Sequence, residues 1–206
     1  MSDLLRTLGA QAVSLGWVQW ASFLTGLAYI IQAARNNPSC WPWGILSSGL
    51  WAWASWFQLH LLSDALLQVF YVVLGFVGWY HWAAAKGKQN SKVLAVSSLK
   101  SKELVYWILA SAGLSLILGL VMRPTTAAFP FTDAALTVYS VSATLMLVKR
   151  KMENWIFWIV IDLVSIPVFI MRGGYLFALL FFIYTLIAWR GWKNWQSAIA
   201  RAGKTA

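Results

Sequence analysis

Cysteine occurs once in this chain, at Cys40, and histidine twice, at His60 and His81, near opposite ends of their apolar stretches. A lone cysteine excludes an internal disulfide and a multi-cysteine metal centre, and neither histidine has a second at ligand spacing. There are only six acidic residues, no nucleophile stands at reactive spacing from a base, and there is no glycine-rich phosphate loop. An enzymatic reading therefore has no residues to carry it, and no cofactor is implied. The first sixteen residues have neither a basic n-region nor an A-x-A site, so a cleaved signal peptide is not expected. Charged residues make up 11% of the chain, against about 25% in an average soluble domain.

Apolar residues fill the space left by charge. They make up 60% of the chain and gather into seven long stretches: Trp17 to Ala34, Trp41 to Leu61, Ala65 to Ala85, Glu103 to Met122, Phe131 to Val148, Trp155 to Met171 and Tyr175 to Gly191. Each approximates the ~17–25 residues that a helix needs to cross hydrocarbon. The segments between them alternate in charge. Arg6, Arg123 and Arg172 fall on one side. The other side takes Arg35, the lysines from Lys86 to Lys102, Lys149 to Lys151, and Arg190, Lys193, Arg201 and Lys204. Three of the 16 basic residues thus oppose thirteen. Basic loops stay in the cytoplasm, so the N-terminus is expected outside and the C-terminus inside. The net charge of +10 then belongs beside anionic lipid and not on a nucleic-acid-binding face. The expected fold is all-α and membrane-integral, with seven spans.

An internal repeat is visible at an offset of 113 positions. Ala65, Leu66, Leu67, Tyr71, Gly78, Trp79 and Trp82 match Ala178, Leu179, Leu180, Tyr184, Gly191, Trp192 and Trp195. Carried backwards, the same offset pairs span two with six and span one with five. Three helices per unit and one linking span give 3+1+3, two parallel repeats about an axis along the membrane normal. The division is residues 1–85 for the first unit, 86–122 for tether and linker helix, and 123–206 for the second unit and tail. Ser111, Ser115 and Gly119 form a small-residue stripe on the linker, suited to close helix contact and not to substrate.

Polar side chains at membrane depth are expensive and face a cavity or another helix. Asp162 alone among the acidic residues falls near the middle of a span, sharing a helix face with Trp155 and Trp158. Two indoles and a carboxylate suit a flat cationic aromatic ligand, because indole faces attract cations by roughly 0.5–2 kcal/mol each. The alternative is a hydrogen bond from Asp162 to a neighbouring helix, with the tryptophans as packing. Asp133, Thr137, Ser140 and Thr144 line one face of span five; Gln68 and Tyr71 stand one turn apart on span three. Span two adds Ser48, Trp51 and Ser55, and span seven adds Tyr184. Most of the 15 tryptophans near span ends fit an interfacial belt, whereas Trp51 lies deeper. Together these residues describe a polar and aromatic cavity between the halves. Pro42 and Pro167 are candidate hinges in matching spans.

Three motifs carry a family resemblance: D-A-L-L-Q-V-F-Y with G-W-Y-H-W between Asp64 and Trp82, F-P-F-T-D ending at Asp133, and K-R-K-M-E-N-W-I-F-W from Lys149 to Trp158. The chain resembles the PnuC family of bacterial vitamin transporters over nearly its whole length. The resemblance implies a 3+1+3 fold laid out like the SWEET sugar transporters. It also implies uptake of nicotinamide riboside by facilitated diffusion across the bacterial inner membrane, with trapping by a cytoplasmic vitamin kinase. A homo-oligomer, often a trimer, is implied as well. The implied binding groups are Gln68, Tyr71, Asp133, Asn154, Trp155 and Trp158. The chain departs from the family at Asp162, where riboside transporters have asparagine, and at Leu180 and Phe181, where they have a polar or acidic residue followed by tyrosine. Thiamine, another cationic aromatic, is the alternative substrate within the family. A non-transporting membrane scaffold is the alternative outside it, although it leaves the shared polar lining unexplained.

Overall fold

Long helices account for most of the computed structural model, which describes residues 2–60, 62–86, 95–125 and 128–204. In chain order the helices are α1 (Ser2–Ser14), α2 (Trp17–Ala34), α3 (Cys40–Phe57), α4 (Leu62–Lys86), α5 (Ser101–Met122), α6 (Pro130–Val148), α7 (Asn154–Met171) and α8 (Tyr175–Lys204). Among the described residues, α4 to α8 are long and apolar enough to cross a membrane. Helices α2 and α3 have 18 residues each, about 27 Å of rise.

Helices α2 to α8 occupy the seven expected stretches, with shifted ends. Helix α3 stops at Phe57, and His60 turns the chain with a φ of 55°; the expected end at Leu61 lies outside the described residues. Helix α8 continues past Gly191 to Lys204, so the basic tail prolongs the helix. Helix α1 is an addition to the seven. Its Gln11 clasps the turn between α7 and α8, donating from Nε2 to the Gly173 carbonyl (2.6 Å) and accepting from the Leu176 amide (2.9 Å). Gly173 holds that turn at a φ of 75°, a conformation that glycine adopts without a Cβ penalty. Of the tether lysines, Lys88 and Lys92 lie outside the described residues.

The helices close into a ring. Helix α3 packs between α2 and α4, and α7 packs between α6 and α8; contacts of α2 with α8 and of α4 with α6 join the two groups. Helix α5 stands outside the ring against α6. Its small-residue stripe makes that contact: Ser111, Ser115 and Gly119 are buried, the Ser111 and Ser142 hydroxyls lie 2.8 Å apart, and the Phe131 ring covers Gly119. Small residues let backbones approach where lipid offers no hydrophobic drive between helices.

The turns after α2 and α6 are the same turn. Asn36 and Arg150 both have positive φ. Asn36, Asn37, Cys40 and Trp41 donate their amides to Ala33, Gln32, Asn37 and Pro38. Arg150, Lys151, Asn154 and Trp155 donate to Leu147, Met146, Lys151 and Met152. Every pair is separated by 114 positions, one more than the 113 that aligns α4 with α8. The first two helices of each unit are thus in register one residue away from the offset that aligns α4 with α8. Pro42 falls in the first turn of α3, where its missing amide hydrogen would have no partner in any case. It is therefore not a kink, whereas Pro167 lies inside α7.

Candidate functional site

Along the ring axis the interior has three layers. The end that carries Arg35, Lys149 to Lys151 and Lys193 is sealed by tryptophan. Trp41, Trp82, Trp155 and Trp195 are each no more than 1% exposed. Trp41 meets Trp82 edge to face at 5.3 Å, Trp155 meets Trp195 in the same way at 5.6 Å, and Trp82 lies 6.1 Å from Trp195. Gly78 and Gly191 form notches for this packing: a Cβ at Gly78 would overlap the Trp41 ring, and one at Gly191 would overlap Trp155. The Trp82 indole donates to the Val148 carbonyl at 3.0 Å and the Trp195 indole to the Ala33 carbonyl at 3.1 Å. These two bonds stitch α4 to α6 and α8 to α2. The Arg150 guanidinium lies 4.2 Å from the Trp82 ring, and burial lowers its pKa from the ordinary arginine value. Arginine keeps its proton in proteins regardless, so the contact is a cation on an indole face.

The middle layer holds two polar clusters, one from α2, α3, α7 and α8 and one from α4 and α6. The Tyr184 hydroxyl of α8 reaches Gly26 of α2 beside the Ser47 hydroxyl: a Cβ at Gly26 would stand 3.2 Å from the first and 3.1 Å from the second. Ser47 and Ser22 bond to each other's backbone carbonyls at 2.9 Å. Tyr71 of α4 sits in the same way beside Ser140 of α6, the position 114 residues beyond Gly26. Asp162 of α7 lies near Tyr184. It is 2% exposed, and its Oδ2 has no hydrogen-bond partner among the described residues. An unpartnered buried carboxylate oxygen is costly to maintain and asks for a donor or a cation.

The third layer is aromatic. Trp51 stacks on Phe23 at 5.5 Å, and both rings meet Phe177. The Trp51 indole donates to Asp64 Oδ2 at 2.9 Å, which also accepts the Ser55 hydroxyl.

The expected site residues divide among these layers. Tyr71 lies beside Ser140 and Asp162 near Tyr184, all four in the middle layer. Ser48, Gln68, Thr137 and Trp158 are partly buried and lie within a turn of a middle-layer residue on their own helices. Trp51 belongs to the aromatic layer. Asn154 and Trp155 are fully buried at the tryptophan end, where the Asn154 amide donates to the Lys151 carbonyl at 2.6 Å. Asp133 sits at the opposite end, and both its oxygens are held at 2.8 Å by Arg172. Asp64, Ser22, Ser47 and Gly26 are not among the expected residues. Spacing offers one signal for Asp64: Trp51 and Ser55, one turn apart on α3, present two donors on one face.

The chain matches the nicotinamide mononucleotide transporter family over residues 16–197. It is 28% identical to the nicotinamide riboside transporter PnuC of Escherichia coli (strain K12), across 97% of this chain and 93% of that protein. It is 24% identical to the riboflavin/roseoflavin transporter RibM of Streptomyces davaonensis, across 87% of this chain and 84% of the relative. The crystal structure of the vitamin B3 transporter PnuC superposes with a TM-score of 0.72 at 23% identity, covering 96% of this chain and 90% of that one, which shows a shared fold. With membrane-length apolar helices ringed about a polar interior and a family match over most of its length, this chain belongs to the nicotinamide mononucleotide transporter family, as an integral membrane transport protein and not an enzyme.

Proposed function

We propose that the chain takes up a flat cationic aromatic vitamin precursor, nicotinamide riboside, across the bacterial inner membrane. The observation that carries the cationic ring is Asp162, a carboxylate buried at mid-helix, with an unpartnered oxygen and no lysine or arginine paired to it among the described residues. The choice of the riboside rests on the likeness to the nicotinamide riboside transporter PnuC. A pyridinium ring supplies the missing counter-charge. Trp158, one turn away, offers an indole face, and Tyr71, Tyr184, Ser140, Ser48, Gln68 and Thr137 offer hydroxyls and an amide to ribose. Trp51 flanks this site on one side. Asn154 and Trp155 close it on the other, and Asp133 stands at its rim.

Seven spans, α2 to α8, are inferred, arranged 3+1+3 with α5 as linker. The matching turns at 114 support two parallel units, and so do the paired contacts of Tyr184 with Gly26 and Tyr71 with Ser140. The distribution of basic residues supports an outside N-terminus and a cytoplasmic C-terminus. Transport then proceeds by alternating access. The tryptophan quartet seals the cytoplasmic end, and opening that end requires the α2/α8 and α4/α6 seams to part. No coupling ion is invoked: a cytoplasmic kinase traps the vitamin. A homo-oligomer in the membrane, the trimer implied by the resemblance, completes the proposal.

Thiamine is the second reading, favoured by one observation: Asp162, Leu180 and Phe181 depart together from the riboside pattern. Calorimetric titration of the purified protein with nicotinamide riboside, thiamine and riboflavin separates the cases. Tight riboside binding supports the proposal. Binding of thiamine alone moves the substrate and leaves the transport mechanism standing.

A further inference from the structure

A groove of about 340 Å³ opens between the start of α5 and the end of α6, outside the ring and away from Asp162. Three lysines line it: Lys102 from α5, Lys149 from the end of α6, and Lys151 from the following turn. None forms an ion pair with a carboxylate among the described residues. Lys149 lies 5.5 Å from the Trp107 ring, and Lys151 donates to the Ser97 hydroxyl at 3.1 Å. Glu103 also lines the groove, but its Oε2 accepts the Lys100 amide at 3.0 Å and so caps the helix. The groove keeps a net positive charge of two.

The position of the groove identifies what that charge receives. Lys102 begins a stripe that runs on through Tyr106, Leu109 and Leu116 along one face of α5, and these three side chains are 70%, 66% and 57% exposed. Beyond its first turn that helix is predominantly apolar, and it is long enough to cross the bilayer, so the stripe faces acyl chains. A ligand of the groove therefore has an anionic head among the lysines and a hydrocarbon tail along α5. We propose that this groove is a binding site for an anionic phospholipid, its phosphodiester held by Lys102, Lys149 and Lys151 with Trp107 at the headgroup boundary. Basic pockets between membrane helices recognise such headgroups, each lysine contributing about 1 kcal/mol near the surface. The site is independent of the transported vitamin.

Native mass spectrometry of the detergent-purified full chain tests this. Dioleoylphosphatidylglycerol, dioleoylphosphatidylcholine and inorganic phosphate are the probes. The anionic lipid is expected to remain bound where the zwitterionic one is lost. Lys102→Gln should weaken it about fivefold, and Lys102→Gln with Lys149→Gln roughly thirtyfold. Lys193→Gln, whose ammonium lies over Trp189 on α8, should leave it unchanged. Both lysines of the double variant are exposed, so it should fold, and an unchanged melting temperature in lipid-free detergent checks this. Equal retention of both lipids would overturn the site, as would a double variant that binds like the wild type. Displacement of the lipid by millimolar inorganic phosphate would overturn the lipid assignment in favour of a soluble anion.

Discussion

Trp82 and Trp195 make the same bond in opposite directions: each indole crosses a seam of the ring and donates to a backbone carbonyl at the end of the facing helix, Val148 for one and Ala33 for the other. Their rings lie 6.1 Å apart, so the two seams meet at one aromatic contact. Whatever opens this end must break both bonds together. Trp82→Phe and Trp195→Phe keep most of the apolar area and each remove one indole bond; the Ala33 carbonyl keeps the Asn36 amide, whereas Val148 loses the Trp82 donor. Trp195→Phe should lower stability by about 0.5–1.5 kcal/mol and Trp82→Phe by about 1–3 kcal/mol, in denaturant unfolding of the detergent-solubilised protein. A large effect of one and none of the other would contradict the reciprocity.

The glycine notches give a second test. Gly78→Ala and Gly191→Ala force a methyl group into the Trp41 and Trp155 rings, and overpacking of this kind costs about 1–3 kcal/mol. At Gly113, inside α5, an added methyl group would meet nothing within 4 Å, so Gly113→Ala should be neutral or stabilising by up to about 1 kcal/mol. Thermal melts of the three variants in the same detergent check the ranking.

Asp133 and Arg172 form an ion pair at the far end, one guanidinium nitrogen reaching both carboxylate oxygens, with side chains 24% and 34% exposed. Solvent weakens such pairs to about 0–1 kcal/mol. Asp133→Asn should therefore move the melting temperature little and leave vitamin affinity within about twofold. That outcome follows from its position at the rim, and calorimetry measures it directly. A loss of binding comparable to that of an Asp162 variant would place Asp133 in the site.

Much of this architecture is legible in the sequence because lipid imposes simple rules. Apolar length locates the helices, and the G-W-x-x-W endings of α4 and α8 mark positions that pack alike. What periodicity does not supply is the neighbour of each face. Trp155, Trp158 and Asp162 do share one face, yet Trp155 is taken up by the notch at Gly191, a residue on another helix. Asp64 reads as an end residue when depth is judged along its own helix, whereas its partners Trp51 and Ser55 come from α3. Helix α1 escapes a reading by apolar length because it is short and amphipathic, and its anchoring depends on Gln11 meeting a turn more than 160 positions away. The shift from 113 to 114 is hidden in the sequence because α2 and α6 share backbone geometry and few side chains.

The central claim is that Asp162 provides the counter-charge for a cationic ring, and paired titrations test it most directly. Wild type and Asp162→Asn are each titrated calorimetrically with nicotinamide riboside and with its reduced, uncharged form. Wild type should favour the cation. Asp162→Asn should fold normally and lose roughly tenfold to a hundredfold of affinity for the cation, about 1.5–3 kcal/mol for a charge-assisted contact, while binding the neutral form as before. Equal affinity of the wild type for both forms, or an Asp162→Asn variant that keeps its preference for the cation, would contradict the account.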